Sequence, residues 1–206
     1  MYIPKSYKNE NSAEIEEFIQ SNSFGILVSQ TENKLWATHI PLELGKNEKD
    51  EQVLTGHISR GNPQWKNFTD KSAVLAIFSG PHAYISSSWY DHENVPTWNY
   101  IAIHVYGMIQ IIEEEKLLHS LKKLVDKYEV GSEKPVTVEE MSEKFLKNEL
   151  RGIVGFEIVI QEIQAAYKLS QTRHQHDHQN IIKELEKQGD KNSLNIADEM
   201  RKTKKY

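Results

Sequence analysis

The clearest absence in the sequence is cysteine, which occurs nowhere in the 206 residues. Without thiols the chain has no disulfide framework, no cysteine-based zinc or iron–sulfur site and no thiolate nucleophile. The first residues lack the basic-then-apolar run of a signal peptide, and no apolar run approaches the ~20 residues that a membrane helix needs. We therefore expect a cytoplasmic protein without a membrane span.

Several motifs that mark an active site are missing as well. The sequence contains neither of the two glycine-rich phosphate loops, Gly-x-Gly-x-x-Gly and Gly-x-x-x-x-Gly-Lys-Ser/Thr, nor the metal motif His-Glu-x-x-His. A Gly-x-Ser-x-Gly nucleophile elbow is also absent, and no serine has an evident general base. We therefore assign no catalytic residue and no metal site from the sequence.

Positive charge is scarce for a nucleic-acid-binding protein. The formal net charge is −5, and residues 113–149 hold ten acids against seven lysines and no arginine, a poor surface for phosphates. The short basic run at 201–205 is best interpreted as a solvated chain end. DNA is thus a partner that the sequence leaves open but does not support.

What the sequence does contain is a series of short β-rich segments separated by turns. Pro41 has no backbone N–H, which places its strand at a sheet edge or at a bulge. Closely spaced strands with one helical insertion favour a mainly β fold, a β-barrel with added helices, over a doubly wound sheet. We predict strands at 24–30, 35–44, 52–59, 73–79, 83–89, 98–112 and 153–168.

Helical periodicity indicates helices on either side of these strands. Residues 12–21 should form a short amphipathic helix, and residues 113–130 carry leucines on one face up to Gly131. Thr137 and Glu140 stand at capping-box spacing, which predicts that a further helix begins there.

We divide the chain at about residue 173. Residues 1–173 form the barrel domain, with a helical insertion at about 113–150, and residues 174–206 form a polar helical tail. Three alternating histidines in the tail would share one side of a strand and could capture a transition metal, but a solvated tail explains them better. They are His174, His176 and His178.

A first polar cluster lies at residues 55–66, where a strand meets a single helical turn with Asn62 as N-cap and Pro63 at its first position. Free backbone N–H groups and cations at such a junction suit a phosphate. An ordinary capped turn with solvated charges explains the same residues equally well. The candidate phosphate ligands are Ser59, Arg60 and Lys66.

A second cluster, at residues 78–100, is dense in tyrosine, tryptophan and serine. Flat apolar faces with hydrogen-bonding edges suit a planar heteroaromatic ligand or a tight dimer interface. For a single residue here, aromatic pairing across strands inside the barrel is the better explanation. For the cluster as a whole, a ligand or an interface is favoured.

Several long and unusual motifs in this sequence resemble those of the PaiB family. They include Ala-Thr-His-Ile-Pro-Leu, Gly-His-Ile with Asn-Pro-Gln-Trp, Gly-Pro-His-Ala-Tyr-Ile-Ser and Val-Pro-Thr-Trp-Asn-Tyr. The resemblance runs from the first residue to about residue 173. The motifs that carry the resemblance occupy residues 37–42, 56–58, 62–65, 80–86, 88–90, 95–100 and 168–171.

The resemblance implies an FMN-binding split barrel, similar to pyridoxamine-phosphate oxidase, that forms a homodimer with FMN at the interface. It also implies a negative transcriptional regulator, a repressor of protease and other degradative enzyme production and of sporulation. The strand at 36–42 would run along the flavin ring, and the strand and turn at 57–66 would meet the phosphate. The implied cofactor residues are Thr38, His39, Ile40, His57, Ser59, Arg60, Asn62 and Lys66, with Trp98 and Asn99 from the neighbouring subunit.

Two other functions remain open at this point. The chain could be a flavin-dependent oxidoreductase acting on a small molecule, although it has no nicotinamide fingerprint. It could also be a split barrel that has lost the flavin and acts through protein partners, in which case the aromatic cluster would serve as an interface or as a pocket for some other ligand.

Overall fold

The computed structural model describes residues 1–31, 34–69 and 72–203. The chain divides into two compact units. Unit 1 comprises Met1–Ile15, Phe78–His104 and Gln164–Tyr206, and unit 2 comprises Glu16–Ile77 and Val105–Ile163. The basic run predicted to be a solvated end is described only up to residue 203, and its last two residues lie outside the described residues.

The described residues form eight strands. Their order in the sheet is β3-β2-β6-β7-β8-β5-β4, with β1 paired to β8. Each pair with a defined register is antiparallel, which confirms the predicted mainly β architecture. The strands are β1 (Lys8–Asn9), β2 (Phe24–Thr31), β3 (Lys34–Pro41), β4 (Glu43–Lys46), β5 (Gln52–Ser59), β6 (Ser72–Ile85), β7 (Thr97–Ile111) and β8 (Ile153–Lys168).

Five α-helices accompany these strands in the described part of the chain. The first two confirm the predicted helices at 12–21 and 113–130, and Gly131 follows the second with φ +94°, a conformation that favours glycine at a helix end. None of the described helices is long and apolar enough to cross a membrane. The helices are α1 (Ser12–Ser21), α2 (Glu114–Glu129), α3 (Glu143–Arg151), α4 (Gln175–Gln188) and α5 (Lys191–Thr203).

Pro41 marks the place where the chain changes partner strand, so the strand predicted at 35–44 is in fact two. β3 pairs with β2, whereas β4 pairs with β5. Between them Leu42 is fully buried, and its N–H donates to the Ser23 carbonyl at 2.8 Å. β3 and β4 end the strand order, so the expected edge position of Pro41 is confirmed.

The prediction of separate strands at 73–79 and 83–89 was wrong, because β6 is continuous over the first of them and reaches residue 85. Gly80 and Pro81 stay extended, since proline is tolerated in a strand where the ladder does not need its N–H. The strand ends instead at a 3-10 turn, Ser87–Trp89, where Ser86 Oγ accepts a hydrogen bond from Ser88 N at 3.2 Å.

The capping box at Thr137 and Glu140 is present, but it caps only the 3-10 turn Val138–Glu140. A second cap follows at once, because Ser142 Oγ accepts a hydrogen bond from Phe145 N at 3.4 Å and begins α3. The helix predicted to start at the box therefore starts several residues later. Two competing N-caps so close together leave the extended residue Met141 between them.

The residues beyond 173 form α4 and α5 in unit 1. Both helices carry fully buried apolar side chains, among them Leu185 and Met200. The interpretation of the three histidines as part of a solvated tail was wrong, and the alternative of a strand-like alternation was wrong as well, because they lie at the start of α4. There His174 is the N-cap, His176 is exposed and His178 is fully buried, so the three do not share a surface.

Candidate functional site

Polar side chains join the predicted phosphate turn to the edge strand β3 within unit 2. Asn62 Nδ2 donates to Thr38 Oγ1 at 2.9 Å, and Thr38 Oγ1 donates to Gln64 Oε1 at 2.5 Å. Asn62 Oδ1 also accepts from Gln64 N at 3.0 Å, which confirms Asn62 as the N-cap of the turn Pro63–Asn67. Two of the predicted site segments are thereby brought together.

Gln64 is the central residue that the sequence did not single out. Its side chain has 0% of its surface exposed, and Nε2 donates to Leu27 O at 3.2 Å and to Ser29 Oγ at 3.0 Å on β2. The amide therefore ties the turn to two strands. A capped turn can hold a glutamine whose amide points inward or one whose amide faces solvent. No local sequence signal could therefore have predicted that Gln64 is buried.

The side chain of Arg60 donates hydrogen bonds to two backbone carbonyls of unit 2. Its Nε donates to Arg151 O at 2.9 Å and its Nη2 to Ile153 O at 3.0 Å. The guanidinium also lies 5.6 Å from the ring of Trp65, whose Nε1 donates to Arg60 O at 2.9 Å. Two of its five donors thus hold the turn in place, and the others are not used by these contacts.

Ser59 and Lys66 are exposed like Arg60, but their side chains do not donate hydrogen bonds to the backbone as that of Arg60 does. Ser59 is exposed, and its Oγ accepts a hydrogen bond from Gly61 N at 3.2 Å. Lys66 is exposed on the 3-10 turn, and none of the described acidic residues forms an ion pair with it. A hydroxyl and an unengaged ammonium group therefore remain available to an anion.

His57 lies inside β5, opposite Gly155 of β8, and is half-buried. Burial lowers the pKa of His57 below its ordinary value of 6.5, because the imidazolium would lose hydration. At neutral pH the ring is therefore uncharged. It can accept or donate a hydrogen bond, but it does not add positive charge for a phosphate.

His39 and Ile40 lie on opposite faces of β3, as residues that follow each other in a strand must. His39 is exposed and stacks on Phe24, with ring centroids 6.2 Å apart and planes 24° from parallel. Ile40 is only 6% exposed and belongs to the core. Of these predicted residues, Thr38 and His39 carry side-chain polar groups that a ligand along this strand could meet, whereas Ile40 does not.

Trp98 and Asn99 belong to unit 1 and differ sharply in exposure. Trp98 is 53% exposed and lies edge-on to Tyr84, with ring centroids 5.8 Å apart. Asn99 has 0% of its surface exposed. Its Nδ2 donates to Ser170 Oγ at 3.0 Å and approaches Met200 Sδ at 3.4 Å. Trp98 is therefore free to meet another molecule, whereas Asn99 holds the interior of its unit together.

Comparison with known proteins identifies relatives along most of the chain. The family model described as "Putative FMN-binding domain" matches residues 1–162. The "Protease synthase and sporulation protein PAI 2" of Bacillus subtilis (strain 168) is 48% identical over 201 residues, which cover 97% of this chain and 96% of that protein. These matches confirm the family that the sequence motifs indicated.

Solved flavoproteins share the fold at low sequence identity. The flavocytochrome Anf3 from Azotobacter vinelandii has a TM-score of 0.58 at 12% identity, covering 81% of this chain and 72% of that one. The FAD and heme binding protein from Mycobacterium smegmatis has a TM-score of 0.57 at 12% identity, covering 79% and 73%. The predicted split-barrel fold is thus confirmed, a flavin is the cofactor that these findings support, and the chain belongs to the FMN-binding domain family.

Proposed function

We propose that the chain is a cytoplasmic, flavin-binding regulator that lowers the production of proteases and other degradative enzymes and holds back sporulation. The identity of 48% with a Bacillus subtilis protein named for protease synthesis and sporulation supports this role. The acidic balance of the helical insertion argues against direct contact with DNA. The regulation would then act through a protein partner or through a bound small molecule.

Complementation tests the regulatory role directly. The chain is expressed in a Bacillus subtilis strain that lacks its own PAI 2 protein, at the abundance of the missing protein. We expect extracellular protease activity and the timing of sporulation to return to those of the parent strain, whereas an empty plasmid leaves both unchanged. Protease activity that stays at the level of the deletion strain would refute the proposed role.

The hydrogen bond from Asn62 to Thr38 carries the flavin proposal, because it brings the edge strand beside the turn. An edge strand offers unpaired backbone N–H and C=O groups, which match the donors and acceptors along a flavin ring. The neighbouring turn offers the Ser59 hydroxyl and the Lys66 ammonium group, which suit a phosphate. The residues of unit 2 therefore fit FMN, which has both parts.

Each residue would then have a defined task. Lys66 and Ser59 bind the phosphate, and the donors of Arg60 that the backbone does not use add to it. Thr38 and His39 orient the ring edge, while Ile40, His57 and Asn62 hold the strand and the turn from behind. Trp98 covers the ring from the neighbouring subunit, with Asn99 supporting it, and the bound flavin supplies a redox-active ring.

Lys66→Gln should weaken FMN binding about tenfold, the value of one charge-assisted hydrogen bond to phosphate. Riboflavin, which lacks the phosphate, should bind the variant and the wild type equally well. The measurement is quenching of flavin fluorescence during titration of the ligand-free protein. Equal FMN affinity in the two proteins would remove Lys66 from the site.

Two further variants sharpen this test. Lys49→Gln removes an exposed lysine of the loop between β4 and β5 and should leave FMN affinity unchanged. Arg60→Ala should weaken FMN binding as well. It should also lower the unfolding temperature, because Arg60 holds the backbone at Arg151 and Ile153. A loss of FMN affinity in Lys49→Gln would indicate a general charge effect in place of a specific contact.

A second copy of the chain is the partner that we propose for the outer face of unit 2. Val28 pairs with Ala37 on β3 and with Leu75 on β6, so these side chains lie on the same face of the sheet. This face is exposed or half-buried and mostly apolar, and a two-fold axis would let it meet its own copy. It includes the apolar residues Phe24, Ile26, Val28, Leu35, Ala37, Leu75 and Ile77 and the polar residues Gln30 and His39.

Ala37→Glu should dissociate this homodimer, with a dimer dissociation constant at least about 100-fold higher, because two like charges would meet near the axis. Ala37 is exposed in the subunit, so the fold should not suffer. Sedimentation velocity over a concentration series measures the change. Val130→Glu, at a residue 83% exposed outside this face, is the matched control. A dimer that persists in Ala37→Glu would refute the proposed interface.

A further inference from the structure

A cluster of metal-ligating side chains in unit 1 lies apart from every residue assigned above. The ligand atoms of Asp91, His176 and Asp177 all lie within 4.8 Å of one another. His176 Nδ1 is 3.5 Å from Asp91 Oδ2 and 3.8 Å from Asp177 Oδ1. Both separations exceed the usual hydrogen-bond length of about 2.9 Å.

These distances suit ligands that share one metal ion. Metal–ligand bonds of about 2.0–2.2 Å at tetrahedral angles separate neighbouring ligand atoms by about 3.3–3.6 Å. The two measured separations, 3.5 and 3.8 Å, therefore need only small side-chain rotations to reach that geometry. One imidazole and two carboxylates form the mixed nitrogen and oxygen set that Zn²⁺ and related divalent transition metals accept.

Asp177 provides an observation that helix capping does not explain. Its side chain is only 5% exposed, and no described residue donates a hydrogen bond to its carboxylate. A buried carboxylate without such partners is costly unless a cation is close. The start of α4 favours a negative charge. A carboxylate that caps the helix would, however, be solvated or would accept hydrogen bonds from the helix N–H groups, whereas Asp177 Oδ1 lies beside His176 Nδ1.

The loop that carries Asp91 is held against α4 by contacts that need no metal. Asn180 Nδ2 of α4 donates to Trp89 O at 2.6 Å, and Arg173, just before the helix, lies 5.3 Å from the ring of the buried Tyr90. His92 Nδ1 lies 3.0 Å from Asp91 Oδ1 and orients that carboxylate, as outer partners of metal ligands do.

We propose that Asp91, His176 and Asp177 bind one divalent transition-metal ion of the Zn²⁺ type, with His92 as the positioning partner of Asp91. Three protein ligands leave a coordination position for water or for a small anion. Because the ligands come from the loop after β6 and from α4, the ion would join these two segments of unit 1.

Titration of the tag-free, EDTA-treated full chain with ZnCl₂ tests the site. We expect one Zn²⁺ per chain by calorimetry and a higher unfolding temperature in its presence, since the ion binds only the folded state. His176→Ala and the isosteric Asp177→Asn should each weaken Zn²⁺ binding at least about 100-fold, more than the loss of an outer partner costs. Wild-type protein without a saturable site would overturn the proposal.

Two histidine variants complete the design. His119→Ala removes an exposed histidine of α2 and should leave Zn²⁺ affinity unchanged. His174→Ala should change it little, because His174 lies outside the cluster of three ligands. If His174→Ala abolished binding while Asp177→Asn had no effect, His174 would be a ligand in place of Asp177 and the proposal would be wrong. The metal-free variants should unfold at or above the temperature of the metal-free wild type, which separates ligand loss from misfolding.

Discussion

Gly107→Ala is expected to lower the free energy of unfolding by about 3 kcal/mol, the upper end of the usual cost of overpacking. Gly107 lies in β7, and a Cβ there would press on the carbonyl oxygen of Val159 and come within 2.7 Å of Ile158 Cγ2. The carbonyl belongs to the backbone of β8 and cannot rotate away as a flexible side chain could. The strands would have to separate locally, which weakens their packing and their hydrogen bonds.

Urea unfolding followed by tryptophan fluorescence measures this change, with the slope of the transition compared between the proteins. Gly45→Ala is the matched control, because a Cβ at Gly45 meets no atom within 4 Å. That variant should be neutral or slightly more stable, since alanine restricts the unfolded chain. Equal stability of the two variants would refute the close approach of β8 to Gly107 of β7.

Gln64→Leu should lower the free energy of unfolding by about 3 kcal/mol. Leucine fills most of the volume of the amide but leaves several buried polar groups without their partner, each worth about 1–3 kcal/mol. These groups are Ser29 Oγ and Leu27 O, which accept from Nε2, and Thr38 Oγ1, which donates to Oε1. The variant should also loosen the turn from β3 and so weaken FMN binding.

The appropriate control is Gln179→Leu, which makes the same replacement at an exposed position of α4. Its stability should stay within about 0.5 kcal/mol of the wild type, as is usual for surface substitutions. Thermal and urea unfolding of both variants provide the comparison. A stability loss in Gln64→Leu no greater than in the control would mean that the buried amide network contributes little to the fold.

Local signals were sufficient where the physical cause is local. The turn at Asn62 was predictable because an N-cap needs only a side chain that reaches an N–H two residues away, here at 3.0 Å. The extent of α2 was predictable for a similar reason, since an apolar stripe at helical spacing and Gly131 at its end both belong to the segment itself.

The same local signals misled where their meaning depends on distant strands. Gly80 and Pro81 read as a strand break, yet whether proline interrupts a ladder depends on whether a neighbour needs its N–H. The capping box at Thr137 has the expected geometry, but nothing in four residues says how far a helix will continue past it. The N-cap of α3 is Ser142 and not Thr137.

The candidate flavin site divides in the same way. Ser59, Arg60 and Lys66 were selected as a hydroxyl and two cations at a turn, and the family resemblance indicated the same segment. The role of Arg60 toward Arg151 and Ile153, and the inward direction of Gln64, depend on strands far away in sequence.

The sequence by itself determined the mainly β class, the family, the main helices and the capped turn. Periodicity, helix caps and family-specific motifs each depend only on residues that are close together in the sequence. Only the tertiary structure decided that Asn62 meets Thr38, that Gln64 and Asn99 are buried, and that Asp91 lies beside His176 and Asp177. These contacts join segments distant in sequence, and the side-chain direction of each residue follows from packing that no local pattern encodes.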